Sequence, residues 1–118
     1  MHTTNRGKVK FSMGGVARNM AEAAHRVISG TDVQALHRVM LVSPIGNDLP
    51  GSLISAATSK LGMRIDGLLT SFSEKASAVC NMHLEPDGNL LTGVADMGIV
   101  EELEADLVSP STFRPTRE

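Results

Sequence analysis

The chain has 118 residues and is 42% hydrophobic, which is enough for a single domain with its own core. Its 11 basic and 13 acidic residues leave a formal net charge of −2, and aromatic residues make up only 3%. Nucleic-acid modules carry a clustered basic excess and stacking aromatics, so this composition argues against nucleic acid as the partner. No apolar run approaches the ~20 residues that cross a bilayer, so we also expect no membrane partner.

Cysteine and histidine usage points to a reducing compartment and away from metal chemistry. Cys80 is the one cysteine, so no internal disulfide can form, and we predict a cytoplasmic protein. Residues 1–6 have no apolar stretch behind their basic residue and do not resemble a secretory signal. Because Cys80 stands on the apolar side of a predicted strand, we expect it to be buried and inert. The four histidines show no metal-ligand spacing, so no metal site is predicted.

The first predicted elements are a short strand and a helix. Residues 8–12 alternate polar and apolar side chains, as in a strand or its end. A helix follows over about 16–28, and residues 30–32 are suited to end it. Its apolar face is predicted to consist of Val16, Met20, Ala23, Ala24 and Val27. Arg18, Glu22 and Arg26 lie four residues apart on another face, where they can form ion pairs.

A crossover unit is predicted next. The continuous apolar run 39–42 is typical of a strand covered on both faces, and Pro44 breaks it. A helix over about 49–61 should start at the N-cap Asp48 and end before Gly62. Its inner face is predicted to consist of Leu53, Ile54, Ala57 and Leu61. A further strand at 67–69 then gives the strand–helix–strand order of an α/β fold.

The clearest local pattern is a β-hairpin. Apolar and polar residues alternate over 78–85, a Pro-Asp-Gly-Asn turn occupies 86–89, and 90–95 returns as the second strand. Asp96 then stands where the N-cap of a helix starting near 98 would be expected. The last residues, 109–118, have the composition of turns and tails.

Two features could carry chemistry. Gly14 and Gly15 open the first helix, so a ligand could approach the backbone closely and meet the first-turn N–H groups. The Asn19 carboxamide lies one turn further on and can both donate and accept, which suits a polyol. The alternative is an ordinary glycine-rich turn before a core helix. Asp96 could likewise be a helix cap, which its spacing favours, or a ligand contact.

These segments, in this order, resemble the PfkB (ribokinase-like) family of sugar and nucleoside kinases. GGVARNMA at 14–21 is similar to the family's GG-x-x-x-N-x-A segment, and SPIGNDLPG at 43–51 to its G-x-D-x-x-G turn. LGMRID at 61–66 and the hairpin that returns into GVADM at 93–97 resemble the segments that follow in the family. The residues of these segments are most similar to those of pseudouridine kinases. They also resemble the kinase half of two-part proteins that include a pseudouridine-5′-phosphate glycosidase.

The resemblance implies a partial ribokinase-like α/β sandwich with a small lid of hairpin strands. A substrate-binding portion of a kinase domain would span 1–108, and 109–118 would be an off-family tail. By the same resemblance, Gly14, Gly15 and Asn19 would hold hydroxyls of a sugar or nucleoside acceptor, with Asp96 as a neighbour.

The departures from the family pattern are equally informative. Family members begin with a strand that ends in an acidic residue, which binds the sugar. Near their C-terminus they have a G-A-G-D segment, which carries the catalytic base and the phosphate contacts. Neither is found in this sequence, so we expect a chain truncated at both ends, without catalytic residues and inactive alone. ATP and Mg²⁺ serve the full-length family and are not expected to bind this chain tightly. The alternatives are a non-catalytic module that forms homo-oligomers through an exposed sheet edge, or an unstable truncated product.

Overall fold

The computed structural model describes residues 3–31, 38–70 and 74–105. The elements, in chain order, are α1 (Val16–Thr31), β1 (Ser43–Pro44), α2 (Leu49–Lys60), β2 (Leu68–Leu69), β3 (Val79–Leu84), β4 (Leu90–Asp96) and α3 (Gly98–Glu101). β1 and β2 pair in parallel, whereas β3 and β4 form an antiparallel hairpin. The predicted boundary between 108 and 109, and the tail beyond it, lie outside the described residues.

The segment before α1 contains no regular element over residues 3–15. The strand predicted at 8–12 is therefore wrong for this structure. Val9 and Phe11 are 84% and 86% exposed. Alternation alone cannot make a strand, because its backbone N–H and C=O groups need a neighbouring strand, and none lies beside this segment among the described residues.

Helix α1 forms where it was predicted and runs three residues further, to Thr31. Its orientation differs from the prediction. Ala21 packs against the core and His25 is only 3% exposed, whereas Met20 and Val27 are 67% and 70% exposed. The inward side is held by His25, whose Nε2 lies 2.7 Å from the carbonyl oxygen of Leu61 at the end of α2. The predicted apolar face of α1 thus points to solvent.

The first strand of the parallel pair lies slightly further along the chain than the apolar run 39–42 predicted. Met40 makes an isolated bridge to Arg64, and the two-residue ladder lies at Ser43–Pro44. Pro44 does not break the strand as predicted. The amides that bond to β2 belong to Ser43 and Ile45, which donate to Gly67 and Leu69, so the N–H that proline lacks is not needed.

Helix α2 closely matches its prediction. The Asp48 carboxylate accepts a hydrogen bond from the Gly51 amide (2.9 Å), and the helix ends at Lys60 ahead of Gly62, whose φ is +79°. The small apolar core beside it consists of Leu41, Ile45 and Leu68, with Ala21 and Ile54 packed against it. Of the predicted inner face, Leu53 is 42% exposed, while the other three residues are half-buried.

The hairpin has the predicted strands and turn. Cys80 lies opposite Ala95 and Met82 opposite Gly93, with an irregularity between His83 and Leu84. Every residue of both strands is exposed. Cys80 is therefore exposed and not buried as predicted, because no described residue covers the apolar side of the hairpin.

Asp96 does not cap a helix. It is the last residue of β4 and lies opposite Val79 in the antiparallel pair, so its backbone belongs to the strand. Helix α3 starts two residues later, at Gly98, behind Met97, which makes no side-chain capping hydrogen bond. The N-cap interpretation was wrong, and the ligand-contact interpretation remains a prediction.

Candidate functional site

The start of α1 presents two glycines with different requirements. Gly15 has φ +96°, a left-handed conformation that strains any residue with a Cβ. Gly14 has no atom within 4 Å of where a Cβ would stand, so the chain itself does not require glycine there. Since the helix begins at Val16, its first amides have no partner within the helix. The segment therefore offers exposed N–H donors beside an open backbone.

Asn19 belongs to the same local unit. Its backbone N–H donates to the Gly15 carbonyl (3.0 Å), which closes the first turn of α1. The side chain is exposed, and its Oδ1 accepts from Arg18 Nη2 at 2.9 Å. Arg18 therefore orients the carboxamide and leaves its Nδ2 donors for a ligand.

A short charge network holds Arg18 in this position. Arg18 Nη1 donates to Glu22 Oε2 at 2.8 Å, and Arg26 contacts the other Glu22 oxygen at 2.7 Å. Hydrogen bonds from Arg26 and then Arg18 hold the pKa of Glu22 below its ordinary value. The predicted ion pairs of α1 are confirmed. They reach Asn19 through Arg18, which the sequence analysis had assigned only to the ion pairs.

Asp96 lies on another element. It is exposed, at the end of β4, and no hydrogen bond or ion pair within residues 3–31, 38–70 and 74–105 links it to the start of α1. The structure thus brings Gly14, Gly15 and Asn19 together as one segment and does not tie Asp96 to it. Their roles in substrate binding remain predictions.

A groove of about 340 Å³ lies at the other end of α1. It is lined by His25, Arg26, Ser29, Gly30 and Leu61. None of the four predicted site residues is part of it. The His25 Nδ1 atom is buried there without a hydrogen-bond partner among the described residues. The groove is therefore separate from the predicted sugar-binding segment.

The turn before α2 contains a hydrogen-bond cluster of three buried residues around a half-buried aspartate. We call Gly46, Asp48, Gly51 and Ser77 the turn cluster. Ser77 Oγ donates to Asp48 Oδ1 (2.6 Å) and accepts from the Gly46 amide (2.8 Å), while the Ser77 amide donates to Asp48 Oδ2 (2.8 Å). Hydrogen bonds from Ser77 and Gly51 lower the pKa of Asp48. The cluster joins the β1–α2 turn to the base of the hairpin.

The same cluster explains two of the glycines in the SPIGNDLPG segment. A Cβ on Gly46 would lie 2.6 Å from the Ser77 amide nitrogen, and a Cβ on Gly51 would overlap the Gly46 carbonyl oxygen. The segment that resembles a family motif thus has a structural role in this chain. Sequence analysis missed Ser77, because nothing local marks a serine whose partners lie 29 and 31 residues away.

Neither a metal-ligating cluster nor a membrane-spanning helix is found in the described part of the chain. Within it, no group of three or more His, Cys, Asp or Glu side chains could hold a metal ion. None of the helices formed by these residues has the length and apolar character required to cross a membrane.

Comparisons with known proteins agree with the fold and the motif order. No family model matches the chain. It is 28% identical over 106 residues to the pseudouridine kinase of Escherichia coli strain K12, covering 90% of this chain and 31% of that protein. It also superposes, with a TM-score of 0.68 and 26% identity, on the crystal structure of a "putative sugar kinase" from Clostridium perfringens, over 91% of this chain and 31% of that one.

The chain matches one part of the larger fold of these relatives. The chain spans about a third of the length of each of these relatives. Its helices, parallel pair and hairpin form part of an α/β fold of the ribokinase-like type, so the predicted fold class is confirmed. Over nine-tenths of its length the chain is similar to part of a sugar or pseudouridine kinase, which confirms the predicted resemblance to PfkB-like kinases.

Proposed function

We propose that this chain is the acceptor-binding portion of a PfkB-type kinase that transfers the γ-phosphate of ATP to a hydroxyl of a sugar or a pseudouridine-like nucleoside. The observation that carries the proposal is the match to a pseudouridine kinase over 90% of this chain. The open Gly14–Gly15 backbone and the oriented Asn19 carboxamide supply the kind of donors and acceptors that ribose hydroxyls require.

The contribution of these residues would be binding and orientation. Exposed first-turn amides of α1 donate to a ligand oxygen, and the Asn19 Nδ2 group donates to a second one. Arg18 holds the carboxamide in one orientation, so little side-chain entropy is lost when the sugar binds. Asp96 would contact the same sugar or nucleoside when the hairpin folds over the start of α1.

We also propose that phosphoryl transfer needs residues beyond those of this chain. Phosphoryl transfer depends on positioned phosphate contacts, a divalent cation and a base. The described residues offer no cluster of metal-ligating side chains, so none of them is assigned to Mg²⁺ or to ATP. We therefore expect the chain alone to bind the acceptor weakly and to transfer no phosphate. We also propose that the protein is cytoplasmic.

The acceptor role can be tested by NMR titration of the isotope-labelled chain with pseudouridine and, separately, with ribose. We expect shifts concentrated at the amides of Gly14, Gly15 and Asn19. Asn19→Ala should weaken binding roughly tenfold, the equivalent of about 1.4 kcal/mol of lost hydrogen bonding. Asn47→Ala, at an exposed asparagine in another turn, is the matched control and should bind as the wild type does.

Two results would contradict the proposal. If Asn19→Ala binds the acceptor with unchanged affinity, Asn19 is not part of the binding site. If the chemical-shift changes are confined to the groove at His25 and Ser29, the acceptor binds there and not at the start of α1. In a separate assay with pseudouridine, ATP and magnesium, steady formation of a phosphorylated product would show that this chain carries its own catalytic residues.

A further inference from the structure

Glu22 is the residue on which the charged contacts of α1 converge. Its Oε2 accepts a hydrogen bond from Arg18 Nη1 at 2.8 Å, and its Oε1 accepts from Arg26 Nε at 2.9 Å and from Arg26 Nη2 at 2.7 Å. No hydrogen bond joins Glu22 to Asn19 within the part of the chain that the structure describes. The path of contacts from Glu22 to the candidate site therefore runs through Arg18.

The guanidinium of Arg18 bridges a carboxylate and a carboxamide. Its Nη1 donates to Glu22, while its Nη2 donates to Asn19 Oδ1 at 2.9 Å. Its third nitrogen, Nε, is buried and has no hydrogen-bond partner among the described residues. Only these two contacts fix the plane of the group, so the loss of either one leaves a long, flexible side chain held by the other alone.

The two contacts of Arg18 differ in their shielding from water. The side chains of Arg18 and Glu22 are only 18% and 22% exposed, whereas Asn19 is an exposed residue. The contact with Glu22 also joins two opposite charges, and charge-assisted hydrogen bonds are stronger than those to a neutral amide. Glu22 is therefore the anchor of the guanidinium, and the Asn19 carboxamide is the group that the guanidinium orients.

The whole network lies within one helix. Its contacts join neighbours in the sequence, such as Arg18 and Asn19, or residues four apart, such as Arg18 and Glu22. Helical spacing alone brings such side chains together, because residues four apart lie on the same face of the helix. The arrangement therefore does not depend on parts of the larger kinase fold that lie outside this chain.

We propose that Glu22 is a positioning residue for acceptor binding: it anchors Arg18, which holds the Asn19 carboxamide with Oδ1 on the guanidinium and the Nδ2 donors free for the ligand. This role rests on the proposed function, since it requires that Asn19 contacts the sugar or nucleoside. Without Glu22 the carboxamide would have to be ordered when the acceptor binds. The cost of ordering one side chain should weaken binding about threefold.

The first experiment uses the isotope-labelled chain without any ligand. NMR relaxation of the Asn19 Nδ2 group should show more motion of the carboxamide in Glu22→Ala than in the wild type, with the backbone amide of Asn19 unchanged. Arg26→Ala is the matched control, because it removes the other ion pair of Glu22 and leaves Arg18 in place. Alanine is the best helix former, so both variants should keep α1, which circular dichroism checks.

The second experiment is a titration of each variant with pseudouridine. Glu22→Ala should bind about threefold more weakly than the wild type, whereas Arg26→Ala should bind as the wild type does. The double variant that combines Glu22→Ala with Asn19→Ala should bind like Asn19→Ala alone, because Glu22 then has no carboxamide to position. A general loss of helix stability would instead weaken binding in every background.

The outcomes separate this role from the proposed function. Equal motion of the Asn19 carboxamide in the wild type and in Glu22→Ala, or equal affinity of the two for pseudouridine, would overturn the role of Glu22 alone. So would a further threefold loss when Glu22→Ala is added to Asn19→Ala. If Asn19→Ala itself binds pseudouridine as the wild type does, the proposed function fails, and the role of Glu22 in binding fails with it.

Discussion

Replacing Ser77 by alanine removes the hydroxyl at the centre of the turn cluster. Ser77 is 1% exposed, and its Oγ both donates to Asp48 and accepts from the buried Gly46 amide. In the variant the Asp48 carboxylate keeps the amides of Ser77 and Gly51, but the Gly46 amide loses its acceptor. A buried donor without a partner costs about 1–3 kcal/mol, so we expect a loss of about 2 kcal/mol in the free energy of unfolding.

Thermal and urea unfolding followed by circular dichroism would measure this loss. For a chain of this size, 2 kcal/mol corresponds to a Tm lower by about 8 °C. Ser52→Ala, at an exposed serine on α2, is the control and should change stability by less than about 0.5 kcal/mol. Hydrogen exchange gives the local readout, since the Gly46 amide should lose protection in Ser77→Ala. An unchanged Tm with full protection of that amide would refute the role given to the hydroxyl.

Three further predictions follow from individual contacts. Because hydrogen bonds lower the pKa of Asp48, its carboxylate stabilises the fold fully above an ordinary aspartate pKa of about 4 and progressively less as pH falls below that value. Asp48→Asn should therefore flatten the acid side of the stability curve; an unchanged pH dependence would contradict the cluster. Gly15→Ala should cost about 1 kcal/mol through its positive φ, while Gly14→Ala should leave Tm unchanged. Cys80 should react with a thiol reagent in the native chain as fast as after unfolding; slow native labelling would mean that the hairpin is covered.

Local sequence signals located most of the elements. Helix α2 was correctly placed because its start and end depend on nearby residues: Asp48 accepts from the Gly51 amide three residues on, and Gly62 takes the left-handed conformation just past the end. The hairpin was likewise recognised from its turn, where Asp87 accepts from the Asn89 amide and Gly88 has φ +91°. The Gly14–Gly15 start of α1 could also be read directly from the chain.

Local sequence signals predicted only part of the candidate site. The grouping of Gly15 with Asn19 follows from one helical turn and needs no tertiary information. The support of Asn19 by Arg18 depends on which rotamer the arginine takes. In the observed rotamer Arg18 reaches Asn19 with Nη2 and Glu22 with Nη1 at the same time. For Asp96 the spacing favoured a helix cap over a ligand contact, because spacing alone cannot show that a strand continues through that residue.

The amino-acid order by itself determined where α1, α2 and the hairpin form, since each depends on hydrogen bonds between residues close in sequence. Tertiary structure alone decided that His25, and not the predicted apolar face of α1, points inward, and that the parallel ladder forms at Ser43 and Pro44. It alone also joined Ser77 to Asp48. These choices depend on partners 25 to 36 residues away in the chain, and periodicity carries no information about which distant carbonyl or carboxylate a side chain will meet.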